Sequence, residues 1–217
     1  MDPKSIFINE NWLWEKQGKR SSTLKAAYLA LRSKTSINIL ELGTTRSFKS
    51  TIIDCENYDD NPTNWDWGAG CFTYSILSLL PQCKLTAVDN SSEAIAVSKK
   101  MCSDFDNRAS FIISSSSKFL RDVDAKYDLV YMDHGESKRM NDECPILHLN
   151  DTKILLGRDL IAKDGLILID DVNVEFPKIS KGLYSIPLLK AMKYVEVSSG
   201  KNYQALLKNR NVKLTAG

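Results

Sequence analysis

Apolar residues recur along this 217-residue chain in short runs of strand length, separated by stretches whose apolar positions repeat at i, i+3 and i+4. Thr23–Arg32 shows the helical period through its alanines and leucines, and Ile37–Leu42 follows as the first strand. Leu85–Val88 is a second strand leading into Asp89-Asn-Ser-Ser, where Ser92 predicts the cap of a helix carrying Ala94, Ile95 and Val97. Ser110–Ile113 is a third strand, followed by a short helix through Lys118-Phe-Leu, and Tyr127–Met132 is a fourth. A helix over Ile154–Ala162 and a turn at Lys163-Asp-Gly165 precede a fifth strand, Leu166–Ile169. Near the end, Tyr194–Val197 and Tyr203–Leu207 flank Ser-Ser-Gly200-Lys-Asn, a hairpin signal.

Strands alternating with helices at this spacing predict βαβ units. The expected fold class is α/β: a doubly wound sheet, mostly parallel, with an antiparallel C-terminal hairpin strand and helices on both faces. Residues 1–36 read as an N-terminal helical segment packed on one domain that spans 37–217. Such a sheet binds its ligand beyond the carboxyl ends of its strands. One stretch breaks the rhythm: nearly thirty residues separate the first strand from the helix Phe72–Leu80, where a βα loop usually takes two to six. This insertion, at about 45–67, is polar and carries Trp65 and Trp67, which favour an ordered flap.

Composition narrows the function classes. The 29 basic and 27 acidic side chains leave a net charge of +2, which argues against a nucleic-acid binder; Lys16 to Lys34 reads as a solvated helical face. No apolar run is long enough to span a bilayer, and Met1–Glu10 lacks a signal-peptide layout, so a cytoplasmic protein without membrane contact is expected. The five cysteines are scattered and odd in number, as reduced thiols are.

The candidate chemistry lies just after the strands. Gly43, Gly68 and Gly70 sit at the two ends of the insertion, and Gly68-Ala-Gly70 opens a helix whose N–H groups can approach a polar ligand. Thr73 spoils a full GxGxxG, and the plainer role of these glycines is to let the chain turn. Asp89 ends the second strand, where a carboxylate commonly accepts both ribose hydroxyls of an adenosine cofactor; the plainer role is a helix cap. Asp133 follows the fourth strand and Asp170-Asp171 the fifth, so three carboxylates converge above neighbouring strands about 4.8 Å apart. Unpaired, they would repel one another. A hard divalent cation, Mg²⁺ before Ca²⁺ or Mn²⁺, would resolve this, unless one Asp caps a helix and another faces water. His134 and Lys138 are the candidate general bases beside this cluster, against structural and solvated roles. His148 receives no role.

Together these residues resemble an S-adenosylmethionine-dependent methyltransferase with the Rossmann-like fold, from about Ile37 to Leu207. Ile39-Leu-Glu41-Leu-Gly43, resumed at Gly68-Ala-Gly70, is similar to the family's first motif, Leu85–Asp89 to its second, and Asp164–Asp171 to its late strand. The Asp after strand four and the acidic pair after strand five are similar to those of metal-dependent O-methyltransferases. Catechol-type members carry Asp-Asn in the second position; macrocin-type sugar methyltransferases carry Asp-Asp, as here. The resemblance implies that Asp133, Asp170 and Asp171 hold Mg²⁺. It implies that Glu41, Gly43, Thr44, Gly68 and Gly70 hold the amino-acid end of the cofactor, Asp89 its ribose and Ser115 its adenine, with Asp133 also near it. The long loop would close as a lid, and the acceptor would be the hydroxyl of a small molecule, sugar-like or catechol-like. Glu136 stands where catechol-type enzymes have a lysine, and the insertion matches neither subgroup. The rival readings are a nicotinamide-dependent oxidoreductase and a non-catalytic cofactor-binding protein of the same fold; homo-oligomeric assembly is left open.

Overall fold

In the computed structural model the described residues are 9–48, 59, 61–136, 141–175, 178–197 and 203–210. Their strands are β1 (Ile37–Leu42), β2 (Cys83–Asp89), β3 (Ala109–Ile113), β4 (Tyr127–Met132), β5 (Ile161–Ile169), β6 (Tyr194–Glu196) and β7 (Ala205–Asn209). They join in one seven-stranded sheet of order β3-β2-β1-β4-β5-β7-β6. The first five run parallel, and β7 enters antiparallel between β5 and β6. The sheet is thus the expected α/β doubly wound one, with the predicted hairpin as its antiparallel edge.

β1, β4 and β5 read as continuous apolar runs because a parallel strand is covered on both faces. Ile39, Leu85, Leu129, Tyr131 and Leu168 pack on one side with α1 (Glu10–Gln17), α2 (Ser21–Leu31), α3 (Phe72–Leu79) and α4 (Ser92–Met101). Leu40, Val88, Val130, Ile167 and Leu207 pack on the other with α5 (Ser116–Asp122), α6 (Glu143–Gly157) and α7 (Ser185–Ala191). The alternation of neighbours such as Ile39 and Leu40 between the two cores is the two-residue period of a strand.

Two boundaries differ from expectation. The turn predicted at Lys163-Asp-Gly165 lies inside β5, which begins at Ile161, and the preceding helix ends earlier, at Gly157. Between Tyr127↔Ile161 and Leu129↔Leu166 the register shifts, so extra β5 residues bulge and expose Lys163 and Asp164. The cap of α4 is Ser91 rather than Ser92: its side chain accepts from the amide of Ala94 at 3.1 Å.

The insertion is held at its C-terminal end. The indole of Trp65 meets Tyr74 edge-on at 4.7 Å, and Trp67 meets Trp12 of α1 at 5.3 Å. Their ring N–H groups donate to the carbonyls of Asp59 (2.6 Å) and Pro62 (2.8 Å). The buried amide of Gln17 donates to the Gly70 carbonyl and to Ser75 Oγ. Both tryptophans are therefore core anchors rather than the inner face of a lid, because burial against α1 and α3 removes more apolar area from water than a surface flap could.

Candidate functional site

β1 pairs with β2 on one side and β4 on the other, so the strand order reverses there and leaves a crevice beyond the carboxyl ends. A cavity of about 610 Å³ occupies it. Gly43, Thr44, Asp89, Asn90, Ser91 and Ala94, after β1 and β2, line one wall; Asp133, His134, Asp171, Lys181, Tyr203 and Arg20 line another. This volume falls within the range of small-molecule and cofactor sites.

Gly43 has φ +82°, and a Cβ there would lie 2.6 Å from the backbone of His134. The glycine lets the loops after β1 and β4 touch. Asp89 accepts the amide of Thr44 on Oδ2 (3.0 Å) and the amide of Ser91 on Oδ1 (2.8 Å). Each oxygen keeps a further lone pair, so the carboxylate is oriented and can still accept two hydroxyls. Gly68 also lines the cavity.

Other expected contacts fall elsewhere. Glu41 is completely buried and accepts from the Thr73 hydroxyl, with Thr44, Thr73 and Ser98 forming a hydroxyl cluster beside it. Burial pushes its carboxyl up to about 8, and it is not among the residues that line the cavity. Ser115 caps α5 through the Lys118 amide and does not line the cavity. Gly70 is likewise off the wall, at φ +100°. Lys138 lies outside the described residues.

The three carboxylates do converge, but not unpaired. Lys181 Nζ donates to Asp133 Oδ1 at 2.6 Å and to its carbonyl at 2.9 Å, and lies 3.1 Å from Asp171 Oδ2. Arg20 Nε meets Asp170 Oδ2 at 2.8 Å, beside the Tyr131 hydroxyl at the same distance. Asp171 leaves the extended conformation, with φ +49°, a region Asp tolerates better than most residues. Burial works to raise the Asp133 carboxyl, yet the Lys181 and Arg20 charges hold it below the usual range. Asp170 is raised by burial and by the charge of Asp133. The expected Mg²⁺ site does not fit this arrangement: an ammonium occupies the position between the two ligand carboxylates. Among the described residues no cluster of three or more His, Cys, Asp or Glu side chains is arranged to hold a metal ion. The expectation treated the carboxylates as isolated charges, whereas a buried lysine and a half-buried arginine offset most of their charge.

His134 lies on the cavity wall with Nε2 2.8 Å from Oδ2 of Asp151 on α6, and both of its ring nitrogens are buried without a well-aligned hydrogen bond. The His148 ring stacks on it at 4.2 Å, and its Nε2 lies 2.8 Å from the His134 carbonyl. Burial, with His134 beside it, holds the pKa of His148 well below the ordinary histidine value, so it is a neutral platform.

Sequence reasoning missed Arg20, Tyr131, Asp151, Lys181 and Tyr203. Arg20 was part of a stretch read as a solvated face; its side chain instead spans to β5 under the ring of Tyr203, 5.0 Å away. Tyr131 was visible only as an apolar strand residue. Lys181 follows Asp171 in a connection with no motif.

No protein-family model and no curated protein matches the chain. Solved structures do. The S-adenosylhomocysteine-bound methyltransferase PaMTH1 of Podospora anserina is similar over 94% of this chain and 89% of its own, with a TM-score of 0.59 at 13% identity. A Staphylococcus aureus protein assigned as a caffeoyl-CoA O-methyltransferase is similar over 86% of this chain and 82% of its own, with a TM-score of 0.57 at 17% identity. A Geobacter sulfurreducens methyltransferase is similar over 87% and 78%, with a TM-score of 0.51 at 12% identity. The fold is the Rossmann-like one of class I methyltransferases. No described helix is long and apolar enough to cross a membrane.

Proposed function

We propose that the chain is an S-adenosylmethionine-dependent methyltransferase acting on the hydroxyl of a small molecule, sugar-like or catechol-like. The observation that carries the reading is Asp89 at the end of β2, oriented by two backbone amides and facing a cavity between the carboxyl ends of β1, β2, β4 and β5. The strand order supports it too, since β7 inserted antiparallel between β5 and β6 departs from the 3-2-1-4-5-6 order of nicotinamide-binding domains.

The donor set fits the cofactor. Asp89 accepts the two ribose hydroxyls on its remaining lone pairs, and the glycine turn at Gly43 lets the ligand lie close to the backbone. When bound, S-adenosylmethionine supplies the methyl group: the acceptor oxygen's electron pair forms the O–CH₃ bond as the S–CH₃ pair returns to sulfur, leaving S-adenosylhomocysteine. His134, on the cavity wall, takes the acceptor's proton, while Asp151, with Oδ2 2.8 Å from its Nε2, positions the ring. Among the described residues His134 is the one imidazole on the cavity wall. The cavity walls hold the acceptor against the methyl and supply the orientation on which such a transfer depends.

Calorimetric titration with S-adenosylhomocysteine tests the cofactor, and transfer of a labelled methyl group to a panel of sugars and catechols tests the acceptor. Micromolar binding with labelling of a hydroxyl supports the reading. No binding overturns it.

A further inference from the structure

Three carboxylates crowded at the ends of β4 and β5 would ordinarily recruit a hard divalent cation. Here the chain supplies its own cations. Lys181 is 2% exposed. An ammonium has three hydrogens, and three oxygens surround this one: Asp133 Oδ1 at 2.6 Å, the Asp133 carbonyl at 2.9 Å and Asp171 Oδ2 at 3.1 Å. The ammonium therefore bridges the two carboxylates a metal would bridge, with no donor to spare. Arg20 serves Asp170 in the same way.

We propose that the Lys181 ammonium stands in place of a divalent cation, so that this centre neither needs nor accepts Mg²⁺, and that the charge it fixes sets the acceptor end of the cavity. The inference rests on the methyl-transfer reading for what the centre does, but not for how its charges are arranged. With Lys181 and Arg20 counted, the formal charge of the three aspartates drops in magnitude from −3 to −1. A hard cation entering the centre would have to expel a buried, fully bonded ammonium and face only a weakly negative site. Lys181 also ties the connection after β5 to the end of β4, since its amide donates to the Asp171 carbonyl at 3.2 Å and its Nζ to Asp133. Fixing both segments is a second task for which metal coordination is often used.

The test is a titration of the full chain with Mn²⁺, followed by loss of the free-ion paramagnetic signal. The wild type is expected to show no Mn²⁺ site tighter than about millimolar, whereas Lys181→Ala, with Asp133 and Asp171 released, binds Mn²⁺ at least tenfold more tightly. Lys181→Met keeps the length and apolar bulk of the side chain and should gain the same site if the alanine variant fails to fold. Stoichiometric micromolar Mn²⁺ binding by the wild type, or no gain in either folded variant, overturns the inference. A parallel titration with S-adenosylhomocysteine separates the two claims. Equal affinity with and without EDTA supports the ammonium as the resident cation, and affinity lost in EDTA refutes it. A chain that binds no S-adenosylhomocysteine under either condition refutes the methyl-transfer reading, and the Mn²⁺ titration then decides the ammonium claim by itself.

Discussion

His134 Nε2 lies 2.8 Å from Oδ2 of Asp151, a carboxylate with no exposure to solvent. Burial pushes the Asp151 carboxyl up, but His134, Ser116 and Ser117 outweigh it and hold the pKa below the usual range, so the carboxylate stays ionised. An ionised carboxylate behind an imidazole fixes its ring. If His134 takes the acceptor's proton, His134→Ala lowers the turnover rate by about 10²-fold or more. Its S-adenosylhomocysteine affinity should stay within a few-fold of wild type. Asp151→Asn, which keeps the shape and removes the charge, should lower kcat more than it changes KM. Steady-state kinetics on both variants checks this, and an unchanged kcat in His134→Ala removes the histidine from the chemistry.

Asp89 offers its remaining lone pairs to two hydroxyls, and hydrogen bonds to a charged group are worth about 1.5–3 kcal/mol each. Asp89→Ala is therefore expected to weaken S-adenosylhomocysteine binding by at least tenfold, as read by calorimetry. Part of that loss comes from the amides of Thr44 and Ser91, which lose their acceptor. Asp89→Asn keeps an acceptor for at most one of them and should bind with intermediate affinity.

Gly43 and Gly157 predict opposite outcomes for the same substitution. A methyl group on Gly43 would meet backbone atoms of His134 and Asp133 at 2.6–2.8 Å, at a left-handed φ. Gly43→Ala should cost about 2 kcal/mol or more of stability. Gly157 closes α6 with nothing within 4 Å of a built Cβ, so Gly157→Ala should be neutral or stabilising by up to about 1 kcal/mol. Thermal unfolding of the two variants gives the comparison.

Glu41 makes stability depend on pH. The unfolded chain releases its proton near 4.5, the ordinary value, whereas the folded chain keeps it up to about 8 because the carboxyl is buried. Between these values the folded state binds more protons, so this group lowers stability as pH rises, by at most about 1.4 kcal/mol per unit. Unfolding midpoints measured from pH 5 to 8 should fall in the wild type and fall less in Glu41→Gln. Parallel slopes would show that Glu41 is ionised throughout.

Trp67 joins the insertion to α1 through its contact with Trp12 and to the Pro62 carbonyl through its ring N–H. Removing a buried indole costs about 3–5 kcal/mol. Trp67→Ala should lower the unfolding midpoint and also weaken S-adenosylhomocysteine binding, because Gly68, the next residue, lines the cavity. A stability loss without any change in binding would confine the tryptophan to the fold.

The alternation of strands and helices, the closing hairpin, and the placement of Asp89, Asp133 and Asp171 after strand ends were legible in the sequence. Each depends on residues close together in the chain: a two-residue or 3.6-residue period, a cap, a turn signal. The errors were local as well. A bulge exposing Lys163 and Asp164 mimics a turn, because both put polar residues between apolar ones. What the carboxylates meet was decided only by the tertiary structure. Arg20 and Asp170 are 150 residues apart in the chain and 2.8 Å apart in space, and Lys181 reaches Asp133 across 48 residues. An acidic residue in a sequence carries its charge but no record of its counter-ion, since pairing depends on distance through space and on the water excluded from between. So the sequence by itself determined which end of the sheet holds the chemistry, and folding decided that the buried Lys181 and the half-buried Arg20 pair with its carboxylates.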